Sequence, residues 1–133
     1  MYRSVIALLF LAAATIDATA QNLPVPSYWL NQHGSNMKLY RLHADGRFKG
    51  LFFNHWAGTH CQNTPYDLRG RVIGRRVAFA VRWQNWAEDC HSKTFWHGHL
   101  VGATLKTRWL LITRAPDGTV SETRGRDNFQ LQP

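Results

Sequence analysis

Hydrophobic and polar residues alternate along most of this chain. On one such segment, Val77, Phe79, Val81 and Trp83 occupy one parity, while smaller or polar residues occupy the other. A period of two places alternate side chains on opposite faces of a β-strand, so one face of each segment is expected to be buried. No window of helical length has a convincing period of 3.6 residues. The pattern therefore predicts an all-β protein.

Turn signals separate the alternating segments at intervals typical of antiparallel hairpins. They lie at Gly34, Asp45-Gly46, Gly74, Gly102 and Pro116-Asp117-Gly118. The segments between them predict eight strands, at residues 27–32, 36–43, 47–54, 66–73, 75–85, 93–101, 104–114 and 119–131. Eight short sequential strands favour an eight-stranded antiparallel up-and-down β-barrel, which has no free sheet edge and holds a small ligand at its mouth. A β-sandwich is the alternative architecture.

The first twenty residues have the organisation of a secretory signal peptide. Arg3 supplies the positive region, residues 5–14 the apolar region, and Ala18-Thr19-Ala20 an A-x-A cleavage site. An uncleaved anchor is the alternative, but the apolar run is shorter than the ~20 residues that a membrane helix needs. We therefore predict a signal peptide at residues 1–20 and one domain at residues 21–133. The product is expected to be secreted or periplasmic, with no membrane partner.

The chain is strongly basic. Sixteen Lys and Arg against eight Asp and Glu give a formal net charge of +8 over 133 residues, of which 44% are hydrophobic. This composition excludes disorder and leaves nucleic acid, a membrane surface or a small anion open as partners. Nucleic-acid binding would need aromatic side chains exposed beside the arginines, whereas most aromatic residues here have inward parity, so no nucleic-acid partner is expected. His97 and His99 share an outward face, for which simple solvation is the better interpretation, and no metal site is expected.

The meaning of the two cysteines depends on the compartment. In an exported protein, Cys61 and Cys90 are expected to form a disulfide, because thiols oxidise outside the cytosol. The rival interpretation adds the adjacent His60 and His91 to make a Cys2His2 zinc site, although the spacing matches no zinc finger. Each of the two longest connections between predicted strands carries one of these cysteines. A disulfide would hold both connections at one end of the barrel, where the functional site is expected.

Polar residues at inward positions form the candidate site. Buried polar groups are costly unless they bond to one another, to water or to a ligand. Each position alone has a structural explanation, such as a turn cap or core packing, so the functional interpretation depends on their joint occurrence. No Ser-His-acid triplet or pair of carboxylates is suitably placed, and no enzymatic activity is expected. The inward polar and tryptophan positions are Asn31, Ser35, Asn54, Thr94, Trp83, Trp96, Trp109 and Asp127.

Seven short motifs are spread over nearly the whole mature chain, and their order is that of a known protein family. They are WLNQHGSNM at 29–37, DGxFxG at 45–50, LxGR at 68–71, FxVxW at 79–83, WxG at 96–98, TxWLL at 107–111 and GxDxF at 125–129. With these motifs the chain resembles the avidin and streptavidin family. The segment GTHCQNTPY at 58–66, together with Cys90, is most similar to the short, disulfide-containing, rhizavidin-like dimeric avidins. The resemblance implies a barrel that binds biotin without catalysis or cofactor and forms a homodimer.

The resemblance also implies a role for each site residue. The ureido oxygen of biotin is expected to accept hydrogen bonds from Asn31 and Ser35, and the ureido N–H groups are expected to donate to Asp127 and Asn54. Thr94 is expected to place its hydroxyl at the thioether sulfur, and Ser92 is expected to place its hydroxyl at the valerate carboxylate. The aromatic walls of the site are expected to be Trp83, Trp96 and Trp109.

Two positions depart from the family pattern. Phe52 stands where the family has a tyrosine that donates a third hydrogen bond to the ureido oxygen, a loss worth about 1.5 to 3 kcal/mol. Weaker biotin binding is therefore expected, and a lipocalin-like carrier of another small ligand is the alternative. Thr119 stands where tetrameric relatives donate a tryptophan to the neighbouring subunit, which fits a dimer. Trp56 and Trp86 lie on the two long connections, where they either cover the ligand tail or are exposed or at a subunit interface.

Overall fold

The computed structural model describes residues 23–133, and the signal peptide expected at residues 1–20 lies outside them. The strands are β1 Ser27–Asn31, β2 Asn36–Leu42, β3 Arg47–Phe53, β4 Pro65–Ile73, β5 Arg76–Gln84, β6 Asp89–Val101, β7 Thr104–Arg114 and β8 Val120–Leu131. Each strand pairs antiparallel with the next, and β8 pairs with β1 to close a barrel. The predicted eight-stranded up-and-down barrel is confirmed, and the sandwich alternative is wrong. Over residues 23–133, no helix is long and apolar enough to cross a membrane.

The start of β6 is the main difference from the predicted strands, since the other seven agree to within one residue at each end. An irregular register between Arg82 and Gln84 allows Gln84 to pair with Asp89, which extends the hairpin almost to its turn. The Asn85 side chain closes that turn by accepting two backbone N–H groups, at 2.8 and 3.0 Å. Cys90 therefore lies on a strand, and its placement in a loop was wrong.

Alternate side chains fill the barrel interior. On β5, Phe79, Val81 and Trp83 are at most 8% exposed. Phe48, near the start of β3, packs against Phe79 and covers Gly70, where a Cβ atom would collide with the Phe48 ring. Large apolar rings thus close the interior at the end where β3 begins, and space remains at the opposite end.

The connections that follow β1, β3, β5 and β7 share that opposite end, because successive strands of an up-and-down barrel run in opposite directions. The longest of them, residues 54–64, is joined to the start of β6 by a disulfide between Cys61 and Cys90. The predicted disulfide is confirmed. The zinc-site alternative is wrong, because the two sulfur atoms are bonded to each other.

Candidate functional site

A cavity of about 330 Å³ opens at the end of the barrel that the disulfide braces. All the residues predicted to bind a ligand line it, although their roles toward a ligand stay a prediction. They are Asn31, Ser35, Phe52, Asn54, Trp83, Ser92, Thr94, Trp96, Trp109 and Asp127. Strand parity directs the strand residues inward, and closure of the barrel between β1 and β8 brings the first and last parts of the chain to one rim.

Two hydrogen-bond donors face the cavity, Asn31 from the end of β1 and Ser35 from the turn that follows it. The Asn31 side-chain oxygen accepts the backbone N–H groups of His33 and Ser35, both at 3.0 Å. These bonds fix the orientation of the amide, so its NH2 group is the end left for the cavity. The Ser35 hydroxyl accepts the backbone N–H of His55 at 2.9 Å and donates to the Asn54 side-chain oxygen at 3.3 Å. Both donors are therefore held in place before any ligand arrives.

Asn54 presents an acceptor beside them. Its NH2 group donates to the Thr59 hydroxyl and to the His60 carbonyl, each at 2.9 Å. Its oxygen accepts from the Ser35 hydroxyl and from the backbone N–H of Trp56, at 3.2 Å in the second case. Because a hydroxyl rotates freely, Ser35 can turn its proton to a ligand carbonyl, which releases one lone pair of Asn54 for a ligand N–H.

Asp127, on β8, is the second acceptor and is only 4% exposed. Its Oδ2 accepts the indole N–H of Trp96 at 2.8 Å, and its Oδ1 accepts the side-chain N–H of Gln32 at 3.1 Å. The imidazole Nε2 of His33 lies 3.9 Å from Oδ1. Burial raises the pKa of Asp127 and outweighs the opposing effects of Trp96, His33 and Gln32. Within the described part of the chain, it is the only buried acidic side chain.

Aromatic rings form the walls between these polar groups. The Trp96 ring is stacked between Phe52 and Phe79, with 5.0 Å between centroids on each side. Trp83 meets Phe52 edge-on at 5.6 Å and donates its indole N–H to the Thr94 hydroxyl at 2.8 Å. Since the Thr94 oxygen is the acceptor in that bond, its own proton remains available to the cavity.

The two loop tryptophans, whose roles were left open, lie in different environments. Trp56 lines the cavity, stacks on the His33 ring and lies 6.2 Å from the Trp109 ring. Trp86 is 83% exposed and does not line the cavity.

Thr113 also lines the cavity, although no role was predicted for it. It lies on the same face of β7 as Trp109, so the alternation along this strand would have identified it. His33, which contacts Asp127, was also not predicted, because it lies in a turn, where the alternation of polar and apolar residues gives no information.

The sequence and the fold of this chain are similar to those of known proteins. The chain matches the Avidin family over residues 19–132. Afifavidin from Afifella pfennigii is 36% identical over 121 residues, which cover 86% of this chain and 74% of afifavidin. The barrel superposes on a rhizavidin-biotin complex with a TM-score of 0.76 and 38% identity, covering 83% of this chain and 93% of that one. It superposes on a complex of short afifavidin with biotin with a TM-score of 0.78 and 34% identity, covering 86% and 95%. This chain therefore belongs to the avidin family.

Proposed function

We propose that this protein binds biotin at the mouth of its barrel and leaves it chemically unchanged. The observation that carries the proposal is the order of polar groups around the rim. From β8 to β3, acceptor Asp127 is followed by donors Asn31 and Ser35 and then by acceptor Asn54. A cyclic urea presents the complementary order, in which two N–H groups flank a carbonyl. The similar proteins rhizavidin and short afifavidin were solved as biotin complexes, which supports biotin as the cyclic urea.

In the proposed complex, the ureido oxygen accepts hydrogen bonds from Asn31 and Ser35. Donors that are fixed beforehand polarise a carbonyl toward an oxyanion, as oxyanion holes do, but here no bond is broken. Asp127 accepts one ureido N–H in a charge-assisted hydrogen bond, which is the stronger class. Asn54 accepts the other N–H as the Ser35 hydroxyl turns to the ligand.

The apolar remainder of biotin fits the aromatic part of the cavity. Trp83, Trp96 and Trp109 enclose the bicyclic ring and the start of the tail as a tryptophan cage. The Thr94 hydroxyl donates to the thioether sulfur, and the Ser92 hydroxyl donates to the valerate carboxylate. Phe52 supplies a ring but no third donor to the ureido oxygen.

Titration with biotin tests the proposal. Tryptophan fluorescence and calorimetry are both expected to saturate at one biotin per chain. The paired substitution Asn31→Ala with Asp127→Ala is expected to abolish the signal, because it removes a donor and the charged acceptor together. The matched control, Asp117→Ala with Asn128→Ala, changes the same residue types at exposed positions and is expected to bind normally. No signal at micromolar biotin in the wild-type protein would leave the lipocalin-like carrier of another ligand as the better hypothesis.

The proposal includes export of the mature chain. A leader over residues 1–20 would deliver the barrel to a compartment where the Cys61–Cys90 disulfide persists. Mass spectrometry of the protein from a secreting host is expected to give a chain that begins near Gln21. Recovery of the full-length chain in the cytosolic fraction would contradict this part of the proposal.

The proposal also includes a homodimer, for which an apolar patch on the outside of the barrel is the supporting surface. Ala80, Phe95 and Leu110 are cross-strand neighbours on the outward faces of β5, β6 and β7. The groove next to them is lined by Ile112 and Val120 and by charged side chains that include Arg82, Lys93 and Arg114. Phe95 is 40% exposed, and the Lys93 ammonium lies 4.8 Å from the centroid of its ring. We call the five apolar residues, Ala80, Phe95, Leu110, Ile112 and Val120, the outer patch. An exposed apolar patch bordered by charged residues is typical of a protein interface, and a second copy is the proposed occupant.

A further inference from the structure

We infer that the closed end of the barrel binds the surface of an anionic phospholipid membrane, with the cavity mouth turned away from the bilayer. This end lies opposite the candidate site, so the inference does not depend on the proposed ligand. The surface consists of three turns and the strand ends that flank them, at residues 41–48, 71–78 and 99–106. We call it the closed-end surface.

Three strands end at this surface in an exposed aliphatic side chain. The last residues of β2, β4 and β6 are Leu42, Ile73 and Val101, which are 40%, 66% and 47% exposed. A single exposed aliphatic residue is ordinary on a protein surface and needs no explanation. Three of them at one end of a barrel indicate a surface that contacts something apolar.

Backbone hydrogen bonds hold the three turns side by side. The N–H of Val72 donates to the Gly46 carbonyl, and the N–H of Leu100 donates to the Arg75 carbonyl, both at 2.9 Å. Each bond therefore joins one turn to the residue that precedes the next exposed aliphatic side chain. The aliphatic residues thus belong to one continuous rim, and little ordering is needed when that rim binds.

The charge on the closed-end surface is almost entirely positive. Its only acidic side chain, Asp45, is paired with Arg47 at 2.7 Å. Ile73 and Arg76 are cross-strand partners, so a cation lies directly beside the most exposed aliphatic residue. Long cationic side chains can hold their charge at the phosphate level while an aliphatic neighbour enters the apolar region. The exposed Lys and Arg of the surface are Arg41, Arg47, Arg71, Arg75, Arg76 and Lys106.

An anionic bilayer matches this surface better than nucleic acid does. Contacts to nucleic-acid phosphates would satisfy the cations but would leave the exposed aliphatic groups against a polar backbone. Bases would need an exposed ring for stacking, and the aromatic side chain of this surface, Phe48, is 1% exposed. A membrane surface offers both phosphates and acyl chains. The expectation of no membrane partner rested on the lack of a spanning segment, which binding at the surface does not need.

Vesicle sedimentation tests the inference. Protein from the secreting host is mixed at about 0.1 M salt with vesicles of phosphatidylcholine, alone or with an equal part of phosphatidylglycerol. The wild-type protein should bind only the anionic vesicles, and added salt should weaken binding. Arg75→Gln with Arg76→Gln should weaken it at least about tenfold. The matched control, Lys38→Gln with Arg126→Gln, removes the same charge from the barrel wall and should change it less than about threefold. Wild-type protein that leaves anionic vesicles unbound would overturn the inference.

The aliphatic residues distinguish a membrane from other polyanions. Ile73→Ser with Val101→Ser keeps the charge and should weaken vesicle binding at least about tenfold, and the exposed positions should leave the fold intact. The control Trp86→Ser removes a larger exposed apolar side chain at the mouth and should bind like wild type. Unchanged vesicle binding by the double serine variant would overturn the membrane assignment. If that variant and the wild type also bound duplex DNA as strongly as vesicles, the surface would be a general polyanion site instead.

A further measurement needs no variant and tests the orientation. The exposed tryptophans Trp56 and Trp86 both lie on connections at the mouth. Brominated phosphatidylglycerol quenches tryptophan only where the ring reaches the acyl chains, so the vesicle-bound protein should keep its emission. Acrylamide in the water should quench the bound and the free protein equally. Quenching by the brominated lipid would place the mouth against the bilayer and would overturn the inference.

Discussion

The indole N–H of Trp96 donates to the buried carboxylate of Asp127, with 2.8 Å between Nε1 and Oδ2. This bond does not compensate for the loss of hydration, since burial raises the pKa of Asp127 despite it. A group whose pKa is raised on folding favours the folded state only while it is protonated, and that contribution is lost as pH rises through the folded-state pKa. At neutral pH the Asp127 charge therefore destabilises the empty protein, while the proposed function needs that charge.

Asp127→Asn should separate stability from binding. Asparagine keeps an oxygen for Trp96 and removes the buried charge, but it gives up the hydrogen bond from Gln32. We expect the removal of the charge to dominate, so thermal unfolding of the ligand-free protein at neutral pH should occur at a higher temperature than in wild type. Biotin should bind about ten- to thirtyfold more weakly, because a neutral hydrogen bond replaces a charge-assisted one. Scanning calorimetry and biotin titration measure the two effects. A variant that is less stable when empty yet binds as tightly as wild type would assign Asp127 a purely structural role.

The same carboxylate should make binding depend on pH. Ureido N–H groups stabilise the charged form, so affinity should be constant above the raised pKa of Asp127 in the free protein and decline as pH falls through it. Biotinamide is the suitable ligand, because it has no carboxyl group of its own. His33, beside Asp127, and His60, which lines the cavity, are also ionisable side chains, so Asp127→Asn serves as the control. A decline of the same size in that variant would attribute the effect to one of these histidines instead.

Phe52→Tyr should strengthen biotin binding. Phe52 is 3% exposed, lines the cavity and packs against Trp83 and Trp96, so a hydroxyl added to its ring is expected to reach the ureido oxygen. The additional donor should slow biotin release by roughly one to two orders of magnitude. The control is Phe53→Tyr, next on the strand, where the side chain points away from the cavity. A release rate in Phe52→Tyr equal to or faster than that of wild type would contradict this account of the site.

The closed barrel and the inward residues were predictable because a strand has only two faces. Once β5 and β7 alternate, the inward positions of Trp83 and Trp109 follow, and barrel closure brings them to one interior. The hydrogen-bonding roles of Asn31 and Asp127 have a different origin, since alternation identifies buried polar groups but not their ligand. Those roles came from the order of the family motifs.

Other features were beyond the sequence pattern for identifiable physical reasons. The early start of β6 depends on an irregular register at Gln84, which alternation does not reveal. Gln32 contacts Asp127 across 95 positions of the chain, and that contact exists only because β8 returns to β1. Trp56 lies in a loop without periodicity, so its stacking on His33 required the three-dimensional structure.

Removing the disulfide should destabilise the protein and loosen the site. The bond between Cys61 and Cys90 closes a loop with a sequence separation of 29, for which loop-closure entropy predicts about 3 to 4 kcal/mol of stabilisation. The double alanine variant should lose about that much free energy of unfolding in urea and should release biotin faster, because the loop that carries Trp56 loses an anchor. Reductant should reproduce both effects in the wild-type protein and should have no effect on the variant. An unfolding free energy within about 1 kcal/mol of wild type would show that the bond does not stabilise the fold.

Phe95→Lys should dissociate the proposed homodimer. Phe95 is at the centre of the outer patch, between Ala80 on β5 and Leu110 on β7. A lysine buried there in a dimer would lose its hydration and would lie beside the like charge of Lys93, so dimer dissociation should become at least about a hundredfold more favourable. Because Phe95 is 40% exposed in the single barrel, the folded monomer should tolerate the change.

Tyr40→Lys, at a 54% exposed position on β2 away from the patch, is the matched control. Native mass spectrometry and light scattering should detect monomers for Phe95→Lys and dimers for the control. Dimers in both variants would place the interface elsewhere on the barrel, and monomers in the wild-type protein would contradict the dimer itself.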